Sequence, residues 1–463
     1  ELTFPGDPAG LINDDTGSGL RVVFPLFGGA NYQAAKDAWA AGYDTSTANQ
    51  QNLLDTVGNV VGVTGAQLEV GAFATDFDHH DPAFVADPSP VLAEIRERQP
   101  LIHSDRYGGF WLLSRYEDVA DAAMDWRRFT SSVVGTTVIP PSQPRDYPQL
   151  PIELDPPKHT VYRSIVNPIF AKSRVEALRP DLHELAVSLL TPIVERGGGD
   201  FVSEFATPMS LGTLGMFMGL PAEDQPRWAD WVRRMFEGSI NDPEEQQRAG
   251  TEFQEYLDAL VAERKAKRRD DFISLLLDTE VEGHRLTDLE IRGFGVVMLM
   301  AGHETTAGAM AMTGKFLAEE PGIRRRLFAE PALIPTAVNE FLRLFPSIQV
   351  FCRNASADLE CQGARIEEGE VVALAYAAAN RDPREFPEPD VCVLDRKPNR
   401  HVTFGYGHHL CLGANVARLE MAVMLAEIAR LMPEFALDPE REAVWRARGD
   451  VRGLLSLPLV LAG

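Results

Sequence analysis

The residue best suited to chemistry is a cysteine within a glycine-rich segment. Cys411 lies in the sequence FGYGHHLCLG at residues 404–413, with glycines on both sides of it. Glycines in this pattern allow the backbone to turn tightly and to approach a flat surface closely. A buried free cysteine in a turn is the plainer interpretation, but it leaves Phe404 and His409 unexplained. The segment therefore favours a cysteine that faces a flat group.

A second candidate is an acid–alcohol pair within an apolar helix. Glu304 and Thr305 lie in the sequence AGHETT at residues 301–306, inside a stretch that is apolar from 294 to 312. Such side chains cost stability in an apolar helix unless they have a partner or a task. The threonine hydroxyl could bond to a carbonyl one turn earlier, and the glutamate could form a buried ion pair. A role in chemistry is the competing interpretation.

Two further pairs have helical spacing. Glu340 and Arg343 lie three residues apart and share a helix face; the plainest interpretation is a surface ion pair worth less than about 1 kcal/mol. His159 and Arg163 share a face of a helix that opens on Asp-Pro-Pro, a capping residue followed by first-turn prolines. Arg353 follows the helix predicted to carry Glu340 and Arg343. Surface salt bridges are the competing explanation for all of these residues.

Taken together, these motifs resemble those of bacterial cytochrome P450 monooxygenases. The family patterns are F-G-x-G-x-H-x-C-x-G, A-G-x-[DE]-T-[TS], E-x-x-R and D-P-P-x-H-x-x-x-R, and this chain carries all four in the family's order. The resemblance covers residues 76–463, which would form the haem domain. It implies a mainly α fold with small β-sheets, in which haem b lies between a long central helix and the cysteine loop.

The resemblance also implies a role for each matched residue. Cys411 would be the axial thiolate ligand of the iron, and Glu304 and Thr305 would deliver protons to bound dioxygen. His303 occupies the variable position of its motif and receives no catalytic role. Side chains able to donate to carboxylates would reach the haem propionates: His159, Arg163, Arg353 and His409.

Structural and substrate-binding roles follow from the same resemblance. Glu340 and Arg343 would form a lock behind the haem with a later arginine, for which Arg396 and Arg400 are both candidates. The loop 132–152 contains five prolines and few charges, which is typical of a mobile lid, although a surface connector would look the same. Residues of the central helix and of the segment after the E-x-x-R helix would line the substrate pocket: Met298, Leu299, Ala301, Ile348, Val350 and Phe351.

The implied reaction inserts one atom of O2 into a small hydrophobic substrate, and the other atom leaves as water. The pocket residues favour a terpene, an aromatic ether or a fatty acyl group, with a preference for an aromatic ether that is dealkylated through hydroxylation. Electrons would come from NAD(P)H through separate proteins such as a ferredoxin and its reductase. Basic residues near the cysteine loop would suit an acidic ferredoxin or simply form a solvated patch: Arg396, Lys397, Arg400 and Arg418.

Two alternatives lie in other functional classes. One is a haem-thiolate peroxygenase, which uses hydrogen peroxide directly. The other is a non-catalytic haem-binding protein, such as a sensor or carrier. Neither class needs the acid–alcohol pair that this chain retains, so Glu304 and Thr305 count against both alternatives.

Composition limits the partners of the chain and its location. The formal net charge of −24 argues against a nucleic-acid partner. The four cysteines contain no C-x-x-C pair, which argues against a zinc or iron–sulfur domain. No apolar run is long enough to span a membrane, and residues 1–20 lack the pattern of a secretory signal. The sequence therefore predicts a cytoplasmic protein without a membrane anchor.

The elements that would position these residues are mostly helices. Residues 1–75 contain only two basic residues and predict a small helical extension of unknown role. Beyond them, the pattern predicts helices over 88–98 and 116–124 and a strand over 109–114. A capping box at Thr287 begins a long helix that we expect to run to about Glu319, roughly 45 Å at 1.5 Å per residue.

Overall fold

The structure of the protein is a computed structural model that describes residues 77–142, 145–219 and 221–461. The predicted extension over residues 1–75 lies outside the described residues, so its helices and its role stay predictions. In the described part of the chain, no helix is long and apolar enough to cross a membrane.

Helices make up most of the described chain. In chain order they are α1 Pro82–Ala86, α2 Ser89–Arg98, α3 Tyr116–Met124, α4 Lys158–Val166, α5 Lys172–Glu176, α6 Arg179–Arg196, α7 Thr207–Met218, α8 Gln225–Asn241, α9 Pro243–Ala266, α10 Phe272–Asp278, α11 Asp288–Gly302, α12 Glu304–Glu319, α13 Pro321–Ala329, α14 Ile334–Leu344, α15 Tyr376–Ala379 and α16 Ala414–Leu431. The predicted helices over 88–98 and 116–124 are confirmed by α2 and α3.

The strands are short and form small sheets. In chain order they are β1 Leu101–Ser104, β2 Phe110–Leu113, β3 Phe129–Thr130, β4 Gly198–Asp200, β5 Glu280–Val281, β6 His284–Arg285, β7 Phe351–Ala355, β8 Leu359–Cys361, β9 Ala364–Ile366, β10 Val371–Leu374, β11 Phe435–Leu437, β12 Val444–Trp445, β13 Leu454–Ser456 and β14 Pro458–Leu461. The largest sheet has the order β1-β2-β10-β7-β3, and a second sheet has the order β11-β14-β4. The strand predicted over 109–114 is confirmed by β2, and the mainly α architecture is confirmed.

The core has a helical part and a sheet part. Apolar side chains of α4, α6, α7, α9, α11, α12, α14 and α16 pack into one large cluster. Two smaller clusters cover opposite faces of the five-stranded sheet, and successive residues of a strand alternate between them: Leu112 belongs to one cluster and Leu113 to the other. This alternation follows from the two-residue period of a strand whose faces are both buried.

The central helix begins after Thr287 and ends at Glu319 as predicted, but it is divided into two parts. The backbone leaves helical geometry at His303 (φ −122°, ψ −49°), which separates α11 from α12. Hydroxyl groups bond the carbonyls around the break: Thr305 Oγ1 donates to Ala301 O at 3.0 Å, and Ser210 Oγ donates to His303 O at 2.9 Å. Ser347 Oγ donates to Thr305 O at 2.6 Å. Apolar periodicity continues across the break, so the sequence pattern did not show it.

The E-x-x-R pair lies in the interior rather than on the surface. Glu340 and Arg343 are both 0% exposed and their side chains lie 2.8 Å apart. Arg396 is also buried, and its Nε lies 3.0 Å from Glu340 Oε2. Arg400 is exposed and pairs with Glu385 at 2.8 Å. Of the two candidates for the third member of the lock, the structure therefore selects Arg396.

A buried carboxylate organises the loop 132–152, whose described residues form neither helix nor strand. Glu153 is fully buried at the end of this loop, and its carboxylate accepts hydrogen bonds from the N–H groups of Gly135 at 2.8 Å and Gln149 at 2.7 Å. Arg145 forms an ion pair with the same carboxylate. These contacts with Glu153 stabilise the loop in this conformation.

The same loop 132–152 packs closely on α11 at Gly293. The N–H of Leu150 donates to Gly293 O at 3.3 Å, and a Cβ atom at position 293 would lie 2.4 Å from Pro148 O.

We therefore expect Gly293→Ala to lower the free energy of unfolding by about 1–3 kcal/mol through overpacking, as measured by chemical denaturation. Gly250→Ala in α9, where a Cβ would meet nothing within 4 Å, should instead raise it by about 0.5–1 kcal/mol. Equal effects of the two substitutions would contradict the close packing.

Candidate active site

The cysteine loop depends on two glycines with positive φ. Gly405 and Gly407 both have a φ of 71°, a conformation that residues with a Cβ atom rarely adopt. A Cβ atom at Gly407 would also lie 2.8 Å from Met124 Sδ and 2.9 Å from a carbonyl oxygen of α3. A hydrogen bond of 2.8 Å from the Cys411 N–H to Phe404 O closes the loop. Gly407 is thus required where the loop meets α3.

Cys411 is the one exposed cysteine of the four in the chain. It lies just before α16, and the N–H groups of Gly413 and Ala414 donate to its sulfur. Although the residue as a whole is accessible to solvent, the surrounding protein partly desolvates the thiol and raises its pKa; the two N–H groups and the guanidinium groups of Arg163 and Arg418 act in the opposite direction. A helix N-terminus and nearby cations are surroundings that stabilise a thiolate once a metal replaces the proton.

Two histidines lie together beside the cysteine loop. The rings of His159 and His409 have centroids 4.4 Å apart, and His409 Nε2 lies 3.9 Å from Asp155 Oδ1, an electrostatic contact too long for a hydrogen bond. The Nε2 atoms of both rings are buried and have no hydrogen-bond partner. Burial lowers the pKa of His159 to about 3 and also lowers that of His409, so both rings are neutral near pH 7. These unpartnered nitrogens indicate that a polar group belongs beside them.

The predicted arginines occupy different surroundings. Arg163 donates to the carbonyl oxygens of His408 at 3.4 Å and of Leu410, so it contacts the cysteine loop directly. Arg353 is buried in β7, where its Nη1 donates to Cys352 O at 2.8 Å. Its positive charge acts to lower the pKa of His409. The structure therefore brings His159, Arg163 and His409 together at the cysteine loop, and Arg353 acts on His409 through its charge.

Glu304 forms an ion pair that the sequence did not reveal. Arg446, which follows β12, donates to Glu304 Oε2, and His303 Nε2 lies 3.5 Å from Glu304 Oε1. Burial acts to raise the pKa of Glu304, but the contacts with His303 and Arg446 outweigh it and lower the pKa overall. The carboxylate is therefore ionised at neutral pH. Arg446 was missed because it lies 142 residues away in the chain and no local pattern links the two.

The predicted pocket residues divide into two groups. Ala301 is exposed although it lies near the middle of the central helical pair, and Met298, Ile348 and Phe351 are half-buried. Leu299 packs within the large helical core, and Val350 packs within one of the sheet clusters. The first four residues can therefore contact a ligand in the present conformation, whereas the last two are covered by other side chains.

Comparisons with known proteins agree with this arrangement. The family model described as cytochrome P450 matches residues 232–455. The chain is 34% identical over 407 residues to the vitamin D(3) 25-hydroxylase of Pseudonocardia autotrophica, covering 84% of this chain and 98% of that protein.

Solved structures are also similar to this chain. The cytochrome P450 PksS of Bacillus subtilis superposes with a TM-score of 0.77 at 30% identity, covering 84% of this chain and 100% of that one. A cytochrome P450 of Bacillus megaterium in complex with testosterone superposes with a TM-score of 0.75 at 30% identity, covering 81% and 98%. The chain therefore belongs to the cytochrome P450 family of haem-dependent monooxygenases.

Proposed function

We propose that the chain oxidises an uncharged, hydrophobic substrate with O2, that the Cys411 thiolate binds the haem iron, and that Glu304 and Thr305 supply protons. The observation that carries this proposal is the exposed residue Cys411 just before α16, whose sulfur accepts hydrogen bonds from two N–H groups. When bound, haem supplies the iron at which dioxygen is activated and cleaved.

The polar side chains present fit the two propionates of a haem group. The neutral rings of His159 and His409 each have an unpartnered, buried Nε2 that can donate to a carboxylate in the appropriate tautomer. Arg163 and Arg353 add two permanent positive charges, which partly desolvated carboxylates need. These four side chains would bind and orient the cofactor.

Protons would pass through the acid–alcohol pair. Thr305 Oγ1 donates to Ala301 O at 3.0 Å, so its lone pairs remain free to accept a hydrogen bond. Glu304 is ionised and held by Arg446, and it can therefore accept a proton from solvent when this contact loosens. The general acid–base contribution of such a group is typically about 10²–10⁴ in rate.

The substrate would contact the four accessible pocket residues, which are all apolar: Met298, Ala301, Ile348 and Phe351. Such a lining favours uncharged compounds because it offers no partner for a charge. The similar protein of Bacillus megaterium holds testosterone, which supports a hydrophobic substrate class. Hydroxylation and oxidative dealkylation, including that of an aromatic ether, are both compatible with this lining.

A separate electron donor such as a ferredoxin would dock beside the cysteine loop. The predicted basic cluster is smaller than its sequence suggests, because Arg396 is buried against Glu340 and Arg400 is paired with Glu385. Exposed apolar side chains lie next to the same loop and would contribute instead: Met124, Tyr406 and Leu410.

The identity of the iron ligand can be tested by spectroscopy. Reduced protein with carbon monoxide should absorb near the wavelength that gives the family its name, and Cys411→Ser should abolish this band because serine supplies no thiolate. Cys361→Ser, in a half-buried position on β8, should keep the band. Persistence of the band in Cys411→Ser would assign the iron ligand to another cysteine.

Proton delivery can be tested at Glu304. Glu304→Gln should lower the rate of product formation by about 10²–10⁴-fold, while substrate binding, read from the shift of the haem Soret band, remains. Glu319→Gln is the matched control, since Glu319 lies on the same helix but is exposed and pairs with Lys315. Undiminished turnover of Glu304→Gln would contradict a role of Glu304 in proton delivery.

The peroxygenase alternative can be tested on the unmodified protein. Faster turnover with hydrogen peroxide than with NAD(P)H and a ferredoxin would favour the peroxygenase.

The pH dependence of turnover should reveal the role of Arg446. The folded protein holds the pKa of Glu304 below its ordinary value, so the ionised form persists as pH falls until that lowered pKa is reached. Arg446→Met removes one of the stabilising charges and should move the acidic limb of the pH profile to higher pH. Arg446→Lys should restore it, and Arg441→Met, which alters an exposed arginine paired with Asp438, should leave it unchanged. An acidic limb at the same pH in Arg446→Met would disprove the coupling.

A further inference from the structure

Arg418 lies behind the cysteine loop, seven residues after Cys411 on α16. Its Nε donates to Asn339 Oδ1 of α14 at 2.9 Å, and its Nη1 donates to Ala414 O at 3.4 Å. The guanidinium carbon lies 4.5 Å from the centre of the Phe404 ring, a favourable cation–π distance. The side chain is thus held on three sides.

Two of the residues that Arg418 contacts, Phe404 and Ala414, also form hydrogen bonds with Cys411. Phe404 O accepts the hydrogen bond of the Cys411 N–H at 2.8 Å, and the N–H of Ala414 donates to the Cys411 sulfur. Arg418 is therefore packed against the backbone that holds the cysteine. It is half-buried, so it is less available to a docking protein than an extended surface arginine.

The charge of Arg418 has an unusual partner. Within the part of the chain that the structure describes, no carboxylate forms an ion pair with it. Burial lowers the pKa of its guanidinium, and Cys411, in its ionised form, acts in the opposite direction. By contrast, Arg396 and Arg400 each contact a carboxylate. A partly buried cation without a carboxylate costs stability. Because Arg418 contacts Phe404 and Ala414, the two residues that hydrogen-bond Cys411, we infer that its charge acts on the cysteine.

We propose that Arg418 is a positioning residue that compensates the charge of the Cys411 thiolate and thereby raises the reduction potential of the haem iron. One-electron reduction of the iron adds a negative charge to the haem–thiolate unit. A fixed cation nearby stabilises the reduced form more than the oxidised form, and partial burial weakens the screening of this effect by solvent. The proposal rests on the proposed role of Cys411 as iron ligand.

The test is a redox titration of the holoprotein without any electron-donor protein. Arg418→Gln should shift the midpoint potential to more negative values, so that the ferric-to-ferrous ratio at a fixed potential rises about tenfold, or about 59 mV for one electron. Arg418→Lys keeps the charge, and its midpoint potential should stay close to that of the unmodified protein. Arg430→Gln is the matched control, because Arg430 lies on the same helix but is exposed and paired with Glu427, and it should not change the potential.

A second variant keeps the proposal testable if Arg418→Gln loses haem. Asn339→Ala preserves the charge but removes the partner of Arg418 Nε, and it should shift the potential in the same direction by a smaller amount. The proposal would be overturned if Arg418→Gln had the same midpoint potential as the unmodified protein. If Arg418→Gln cannot be measured, an unchanged midpoint potential in Asn339→Ala would overturn it. Failure of the proposed function is a separate result, since it would appear as a carbon monoxide band that persists in Cys411→Ser.

Discussion

The buried carboxylate of Glu340 holds the segment that leads to the cysteine loop. It is 0% exposed and receives hydrogen bonds from Arg343, Arg396, Asn399 and the N–H of Val393. A buried charge requires such complete pairing, and removal of any partner leaves an uncompensated charge in the core. Because three of these partners lie within residues 393–399, the network ties this segment to α14 just before the loop begins.

From that anchor the chain enters a loop whose path leaves little freedom. Gly405 and Gly407 adopt positive φ, and Gly407 lies so close to α3 that no side chain fits there. The loop then delivers Cys411 to the N-terminus of α16, where N–H groups point at its sulfur. Packing therefore places the cysteine in surroundings that favour a metal-bound thiolate, with Arg163 and Arg418 as the nearby cations.

The other side of the site is shaped by the break between α11 and α12. The carbonyl of Ala301 bonds a threonine hydroxyl, and those of His303 and Thr305 bond serine hydroxyls from other segments. The break begins α12 at Glu304, whose carboxylate meets Arg446 from the C-terminal part of the chain. The ion-pair interpretation of Glu304 and the back-bonding interpretation of Thr305 both hold in the structure, and neither excludes the proposed proton transfer.

The sequence by itself determined the family, the mainly α architecture and the four motifs, because each motif combines backbone requirements and chemistry within a few residues. Only the tertiary structure decided between Arg396 and Arg400, broke the central helix at His303, and brought Arg446 to Glu304. These features depend on contacts between residues far apart in the chain, and local periodicity carries no information about such contacts. The same reason separates Ala301, which is accessible, from Leu299, which is packed in the core.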